Sequence, residues 1–179
     1  MSMPGADVDF LIAIMRLRAE TVAMKPQVGE MAPDFTAPVV GDGIGEGETV
    51  TLSQLRGQRV VLVFYPKDDT PGCTTQACEL RDGWTDLKDR ARIFGVSIDD
   101  VKSHGKFIRK HSLPYPLISD PDKAIVEAYG VWVEKSMYGK TFMGTERTTF
   151  VIGSDGRIER VLEKVSPKDH LGLLSGVLA

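Results

Sequence analysis

Two apolar runs of six residues stand out along the chain, and their surroundings give them different readings. Val60-Val61-Leu62-Val63-Phe64-Tyr65 is β-branched and aromatic, which predicts a central strand covered on both faces. Pro66 ends it, because proline has no N–H for a sheet ladder. Asp68, Asp69, Thr70, Pro71 and Gly72 are turn formers, and Thr74 to Asp86 is proline-free and helix-compatible. The other run, Phe10 to Met15, lies inside a helical spacing of Val8, Leu11, Ile12, Met15, Ala19 and Val22, with Asp7 as N-cap. It is preceded by Asp7 and Asp9 and followed by Arg16 and Arg18. That charge order and length do not suit a signal peptide, and the run is too short to span a bilayer.

The remaining pattern is read the same way. Val28 to Val40 opens the domain with a strand, and Gly41 to Gly47, with four glycines in seven residues, is a loop. Thr49 to Leu52 alternates as a short strand, and Ser53 caps a single turn ending at Gly57. Arg92 to Ile98 is a second buried strand, followed by a helix over Val101 to His111. Leu117 to Ser119 is a brief strand, and Asp122 to Tyr129 a helix closed by Gly130. Val131 to Val133 and Glu146 to Ile152 are strands, and Ser154-Asp155-Gly156 turns the chain into Arg157 to Val165. Ser166 and Pro167 start a last helix as cap and first residue. This order predicts an α/β protein on the thioredoxin-like plan, a central mixed β-sheet flanked by helices. Residues 28–179 form that domain and 1–27 an N-terminal extension, expected to be helical.

Composition narrows the function. A chain of 179 residues suits one domain, and 42% hydrophobic with 26% charged residues is ordinary for a globular protein. A net charge of −3 gives no reason to expect nucleic acid or an anionic membrane as partner. Two cysteines make no disulfide scaffold, and lying this close they suit a redox couple better than a staple.

Cys73 falls in the first turn of a helix at the C-terminal end of a strand, where open α/β folds place their chemistry. Unpaired N–H groups and the helix dipole there favour a thiolate, the nucleophilic form of cysteine. Lowering a thiol pKa from ~8.5 to ~6 requires ~3 kcal/mol. A helix terminus supplies ~0.3–1 kcal/mol, up to ~2 in good geometry, so a cation beside Cys73 is expected. Arg81 lies ~12 Å further along the helix axis, too far to serve. Cys78, if on the same helix, is ~8–9 Å away between Cα atoms and about 140° around the axis. A disulfide needs Cα atoms within ~7 Å, so joining the two requires the first turns of the helix to unwind.

Phe64-Tyr65-Pro66-Lys67, Thr70-Pro71-Gly72-Cys73-Thr74 and Ala77-Cys78 together resemble the active-site segment of peroxiredoxins, in the bacterioferritin-comigratory or peroxiredoxin Q branch. The family pattern Pro-x-x-x-Thr/Ser-x-x-Cys falls on Pro66, Thr70 and Cys73. The resemblance runs from about Val28 to the C-terminus. It implies a peroxidatic Cys73, a resolving Cys78, and a Thr70 hydroxyl touching both thiolate and peroxide. It implies Arg147 as the missing cation, at the start of a strand beside Val60. Backbone N–H groups of Gly72 and Cys73 would stabilise charge on the peroxide oxygens. The implied activity is reduction of hydrogen peroxide and organic hydroperoxides through a Cys73 sulfenic acid and a Cys73–Cys78 disulfide. Thioredoxin or a similar dithiol would recycle it, with no metal or organic cofactor. The expected state is a cytoplasmic monomer, with a dimer through the N-terminal segment as the alternative. Met137-Tyr138-Gly139-Lys140 resembles a loop of this branch near the active site.

Other chemistries fit less well. Cys73, Cys78, His104 and His111 do not have the spacing of structural zinc sites. His104 and His111, seven apart on one helix, are expected as solvated residues, and no histidine is marked as the base of a hydrolytic Cys–His pair. Glu134-Lys135 and Glu163-Lys164 are expected as ordinary exposed charges. A disulfide reductase would favour Cys-x-x-Cys, and a non-enzymatic binding module would not need the thiolate-activating set.

Overall fold

A computed structural model of the chain describes residues 24–179, so the helix expected from Val8 to Val22 lies outside the described residues. The chain runs through β1 (Thr36–Val40), β2 (Thr49–Thr51), a 3-10 turn (Leu52–Leu55) and β3 (Val60–Phe64). Then follow α1 (Pro71–Asp82), α2 (Trp84–Leu87), β4 (Arg92–Ser97), α3 (Val101–His111), β5 (Leu117–Ser119) and α4 (Ala124–Ala128). The last part is β6 (Trp132–Met137), β7 (Lys140–Thr145), β8 (Thr148–Ile152), β9 (Ile158–Leu162) and α5 (His170–Leu178).

Side chains alternate across a strand, so the continuous apolar run of β3 demands cover on both faces. It has it. Val60, Leu62 and Phe64 join Phe94, Phe150, Ile152 and Tyr129 in one core, beneath α4 and the 3-10 turn. Val61, Val63 and Tyr65 point to the other face and pack under α1, α3 and α5 through Leu80, Phe107 and Leu174. The seven-stranded sheet has the order β2-β1-β5-β4-β3-β8-β9. β3 pairs in parallel with β4 and antiparallel with β8, so it lies at one of the two junctions between the senses, β5 being the other. This is the mixed, helix-flanked, thioredoxin-like sheet expected from the sequence.

Several elements depart from their expected limits. The active-site helix begins earlier, at Pro71, and breaks at Gly83 instead of reaching Asp86. A Cβ on Gly83 would lie 2.4 Å from Leu171 Cδ1, so glycine lets α5 approach closely there. Ser53 does not cap its turn: Thr51 holds the cap position, and the Ser53 N–H donates to Asp34 Oδ1 at 2.8 Å. Ser166 to Asp169 form a turn, and the last helix starts only at His170. The strand expected over Val131 to Val133 continues to Met137 and folds back as β7. Tyr138 and Gly139 make the two-residue turn with φ of 52° and 73°, the left-handed pair a tight hairpin requires. Exposed residues dominate that hairpin, so hydrophobic alternation could not reveal it.

Candidate active site

The site grows from the turn after β3. Asp68 is buried there and accepts bonds from Tyr65 Oη at 2.6 Å, Ser103 Oγ at 2.8 Å and His104 Nδ1 at 2.8 Å. Its own N–H donates to Asp99 Oδ2 at 2.9 Å, which ties the turn to the end of β4. His104 is therefore not solvated as expected. It is fully buried, with Nε2 donating to the Ile118 carbonyl at 3.0 Å. The ring is thus held between the Asp68 carboxyl and a backbone carbonyl. Burial alone would raise the Asp68 pKa, but His104 and the two hydroxyls hold it below the usual carboxylate range. Asp69, next in the chain, adopts φ 55°, a left-handed conformation aspartate tolerates.

Cys73 follows in the first turn of α1 and is 3% exposed. The first intrahelical bond runs from Thr74 N to Thr70 O, so the N–H groups of Gly72 and Cys73 have no partner within the helix. Arg147, just before β8, brings Nη2 to 3.5 Å from Cys73 Sγ. A Cβ on Gly72 would sit 3.3 Å from that same nitrogen, so only glycine leaves the guanidinium full room. A cation at this distance favours negative charge on the sulfur. Behind the sulfur a cavity of about 10 Å³, lined by Val63, Tyr65, Phe107 and Tyr115 among others, is at the threshold for one water. Thr70 differs from expectation. Its hydroxyl donates to the Lys67 carbonyl at 2.9 Å, so its single proton is used inside the turn and no bond to the sulfur forms.

The arginine is itself held. Its Nη1 donates to Gln76 Oε1, and Gln76 Nε2 lies 3.0 Å from His170 Nδ1. His170 Nε2 is 2.8 Å from Thr149 Oγ1. Gln76 is 2% exposed and His170 is fully buried at the start of α5. Burial first, and the Arg147 charge second, lower the His170 pKa to about 4. It is neutral, accepting from Gln76 and donating to Thr149. Neither Gln76 nor His170 was found from the sequence. Gln76 carries no distinctive motif position by itself, and His170 is 94 residues away from it.

Cys78 lies on another side of α1, half-buried, and both thiols are free. Its Sγ is 3.9 Å from His111 Nδ1, and His111 Nε2 is 3.0 Å from Asp69 Oδ1. His111 is thus also tied in, with a side chain 17% exposed. Among the described residues, no group of three or more His, Cys, Asp and Glu could hold a metal ion.

Two further charged residues lie near the site, of which Lys135 was expected as an ordinary exposed charge. Lys135 on β6 is half-buried; desolvation first, then repulsion from Arg147, lower its pKa, while Cys73 and Glu146 oppose the shift. Lys25, from the extension, pairs with Glu146 and with Glu163 at 2.7 Å. Glu146 also accepts from Thr148 Oγ1 at 2.8 Å, so both neighbours of Arg147 are anchored.

The AhpC/TSA family model matches residues 28–161. The putative peroxiredoxin bcp of Coxiella burnetii is 46% identical over 156 residues, covering 87% of this chain and all of that one. Peroxiredoxin Bcp of Bacillus subtilis is 46% identical over 149 residues, 83% of this chain and 92% of its own length. A solved structure of the Xanthomonas campestris bacterioferritin comigratory protein superposes with TM-score 0.76 and 35% identity, covering 87% of this chain and 97% of that one. That protein is described there by its alkyl peroxide reduction activity and trapped intermediate/ligand complexes.

Proposed function

The chain belongs to the AhpC/TSA family, among the peroxiredoxins of the Bcp branch, and on that premise we propose a thiol peroxidase in which Cys73 is the peroxidatic residue and Cys78 the resolving one. The observation that carries the assignment is the Arg147 guanidinium 3.5 Å from a sulfur seated in the first turn of α1.

In the first step the Cys73 thiolate attacks the O–O bond of hydrogen peroxide or an organic hydroperoxide. A sulfenic acid forms, and the distal oxygen leaves with a proton as water or alcohol. Arg147 and the unpaired N–H groups of Gly72 and Cys73 stabilise negative charge as it passes from sulfur to the departing oxygen. With its proton engaged by Lys67, Thr70 offers the peroxide its lone pairs. In the second step α1 loosens at its start, Cys78 attacks the sulfenic sulfur, and a disulfide forms with release of water. A dithiol, thioredoxin or a similar protein, then reduces the disulfide by exchange. The sulfur carries the electrons, so no metal or organic cofactor enters. Such a recyclable dithiol suits a reducing compartment, which supports a cytoplasmic location. No described helix is long and apolar enough to cross a membrane. Because the bond is made within one chain, catalysis needs no second subunit, and a monomer is expected.

The test is coupled peroxidase kinetics with thioredoxin on the wild type, Cys73→Ser and Cys78→Ser. Cys73→Ser should lose peroxide consumption altogether. Cys78→Ser should complete one turnover, stall, and accumulate over-oxidised Cys73. Sustained thioredoxin-coupled turnover in Cys78→Ser would overturn the resolving role.

A further inference from the structure

The two cysteines of α1 meet two separate sets of groups. Arg147, Gln76 and His170 serve Cys73 from the β8 and α5 side. Cys78 faces the end of α3 and the turn before α1, where His111 and Asp69 stand. Resting on the reading of Cys78 as the resolving cysteine, we infer that His111, oriented by Asp69, is the general base that takes the Cys78 proton when the disulfide forms.

The geometry is that of a nucleophile, a base and an orienting acid. A carboxylate only accepts, so the hydrogen on the His111 ring lies on Nε2, donated to Asp69 Oδ1 at 3.0 Å. The lone pair is thereby left on Nδ1, which is the atom facing Cys78 Sγ at 3.9 Å. That separation is long for transfer, as catalytic hydrogen bonds often are before the reacting complex forms, and the step requires it to shorten. The ring is held by more than the acid. It sits edge-on to buried Phe107, with centroids 5.2 Å apart, and its backbone carbonyl accepts Arg81 Nη1 at 2.8 Å. Asp69 Oδ2 accepts Lys110 Nζ at 2.6 Å, and the Lys110 and His111 bonds hold the Asp69 pKa below the usual carboxylate range. Asp69 therefore stays ionised wherever the reaction runs. The charged and titratable groups around this pair are Asp69 from the turn, Lys110 from α3, Arg81 from α1 and Tyr115 beyond α3.

The step balances as follows. His111 Nδ1 removes the Cys78 thiol proton, and the thiolate attacks Cys73–S–OH. The S–S bond forms as the S–O bond breaks, and hydroxide leaves, taking a proton to become water. Cys78 sulfur is oxidised, Cys73 sulfur is reduced, and the proton on His111 returns to solvent. During the step Asp69 stabilises the imidazolium. A residue placed merely to pair with Asp69 at the end of α3 would not alter how the rate of this step depends on pH.

The experiment is stopped-flow oxidation of the reduced full-length protein by one equivalent of hydrogen peroxide, followed by the fluorescence of Trp84 and Trp132 and by mass spectrometry of quenched samples. Wild type, His111→Gln, His111→Gly and Asp69→Asn are compared across pH 6 to 10. In His111→Gln the disulfide-forming phase should slow at least ~tenfold relative to the sulfenate-forming phase at pH 7, less than the ~10²–10⁴ of general-base effects because a few per cent of a thiol is ionised there without a base. Its rate should then climb about tenfold per pH unit towards the ordinary thiol range near ~8.5, where no base is needed. Added imidazole should speed the same phase in His111→Gly, and Asp69→Asn should slow it with the wild-type direction of pH dependence. A disulfide-forming phase in His111→Gln with the wild-type rate and pH profile would overturn the inference. Wild type that forms no Cys73–Cys78 disulfide at all would instead remove the reading on which it rests, and the inference with it.

Discussion

Other residues hold Arg147 in one geometry. Its Nη1 is committed to Gln76, which aims Nη2 at Cys73. Gln76 can donate to His170 only while that ring is neutral, and the ring is neutral because it is buried beside a guanidinium. Removing the guanidinium removes the main positive charge at the sulfur. Arg147→Ala should therefore lower kcat/KM for peroxide by about 10²–10³, the usual loss for one preorganised donor, as read by competition kinetics at low peroxide. Gln76→Leu should cost about tenfold, since leaving a buried partner unpaired is worth ~1–3 kcal/mol. Arg147 should remain present but badly aimed in that variant, so kcat/KM should fall without loss of fold. Cys73 was legible in the sequence from its motif, whereas Arg147 by itself reads as a surface arginine on a strand edge and was singled out only by the family resemblance. Gln76 and His170 were not legible, because their roles arise only where α1, α5 and β8 meet.

At the scale of elements, α1 is built to be firm at one end and yielding at the other. Leu80 is 1% exposed in the core, and Arg81 is tied to the His111 carbonyl. Residues nearer the start include Pro71, which is exposed, and Gly72 and Thr74, which are half-buried. To bring two Cα atoms from ~8–9 Å to within ~7 Å, the helix must give way at that weaker end. Peroxide treatment should raise amide exchange from Thr74 to Asp82, most strongly before Leu80, while β3 and β8 keep their protection. Unchanged exchange in α1 after oxidation would contradict the unwinding. The helix and its cysteines were legible from composition and spacing. The β6–β7 hairpin was not, because its exposed residues carry no core pattern, yet it delivers Lys135 towards Cys73.

For the whole molecule, the central sheet joins two cores, and damage to either should be felt globally. Phe150 is fully buried against Phe64 and Tyr129, with ring centroids 5.7 and 5.0 Å away. Phe150→Ala should cost ~3–5 kcal/mol in urea unfolding. Stability should also depend on pH through His170, whose folded pKa of about 4 lies below its ordinary 6.5. Between those values the unfolded chain binds a proton that the folded chain refuses, so stability falls as pH drops from 6.5 to 4. The full effect is on the order of 3 kcal/mol, at 1.36 kcal/mol per unit. Asp68 has the opposite chemistry but the same sign: its depressed pKa supplies stability at neutral pH that is lost at more acid pH. Urea denaturation across pH 3 to 8 should show both, and His170→Asn should flatten only the upper window.

By itself, the sequence determined the thioredoxin-like sheet, the strand that carries the active-site turn, and the sulfur at the head of α1. Those features are written in short-range patterns: apolar runs, turn residues, and a cysteine at a fixed distance from a proline. Tertiary structure alone decided which groups surround each sulfur. His104, His111 and His170 look alike in the sequence, yet one is buried against Asp68, one stands beside Cys78, and one steers Arg147 through Gln76. Burial and charge partners set those differences, and both come from residues that are distant in the chain.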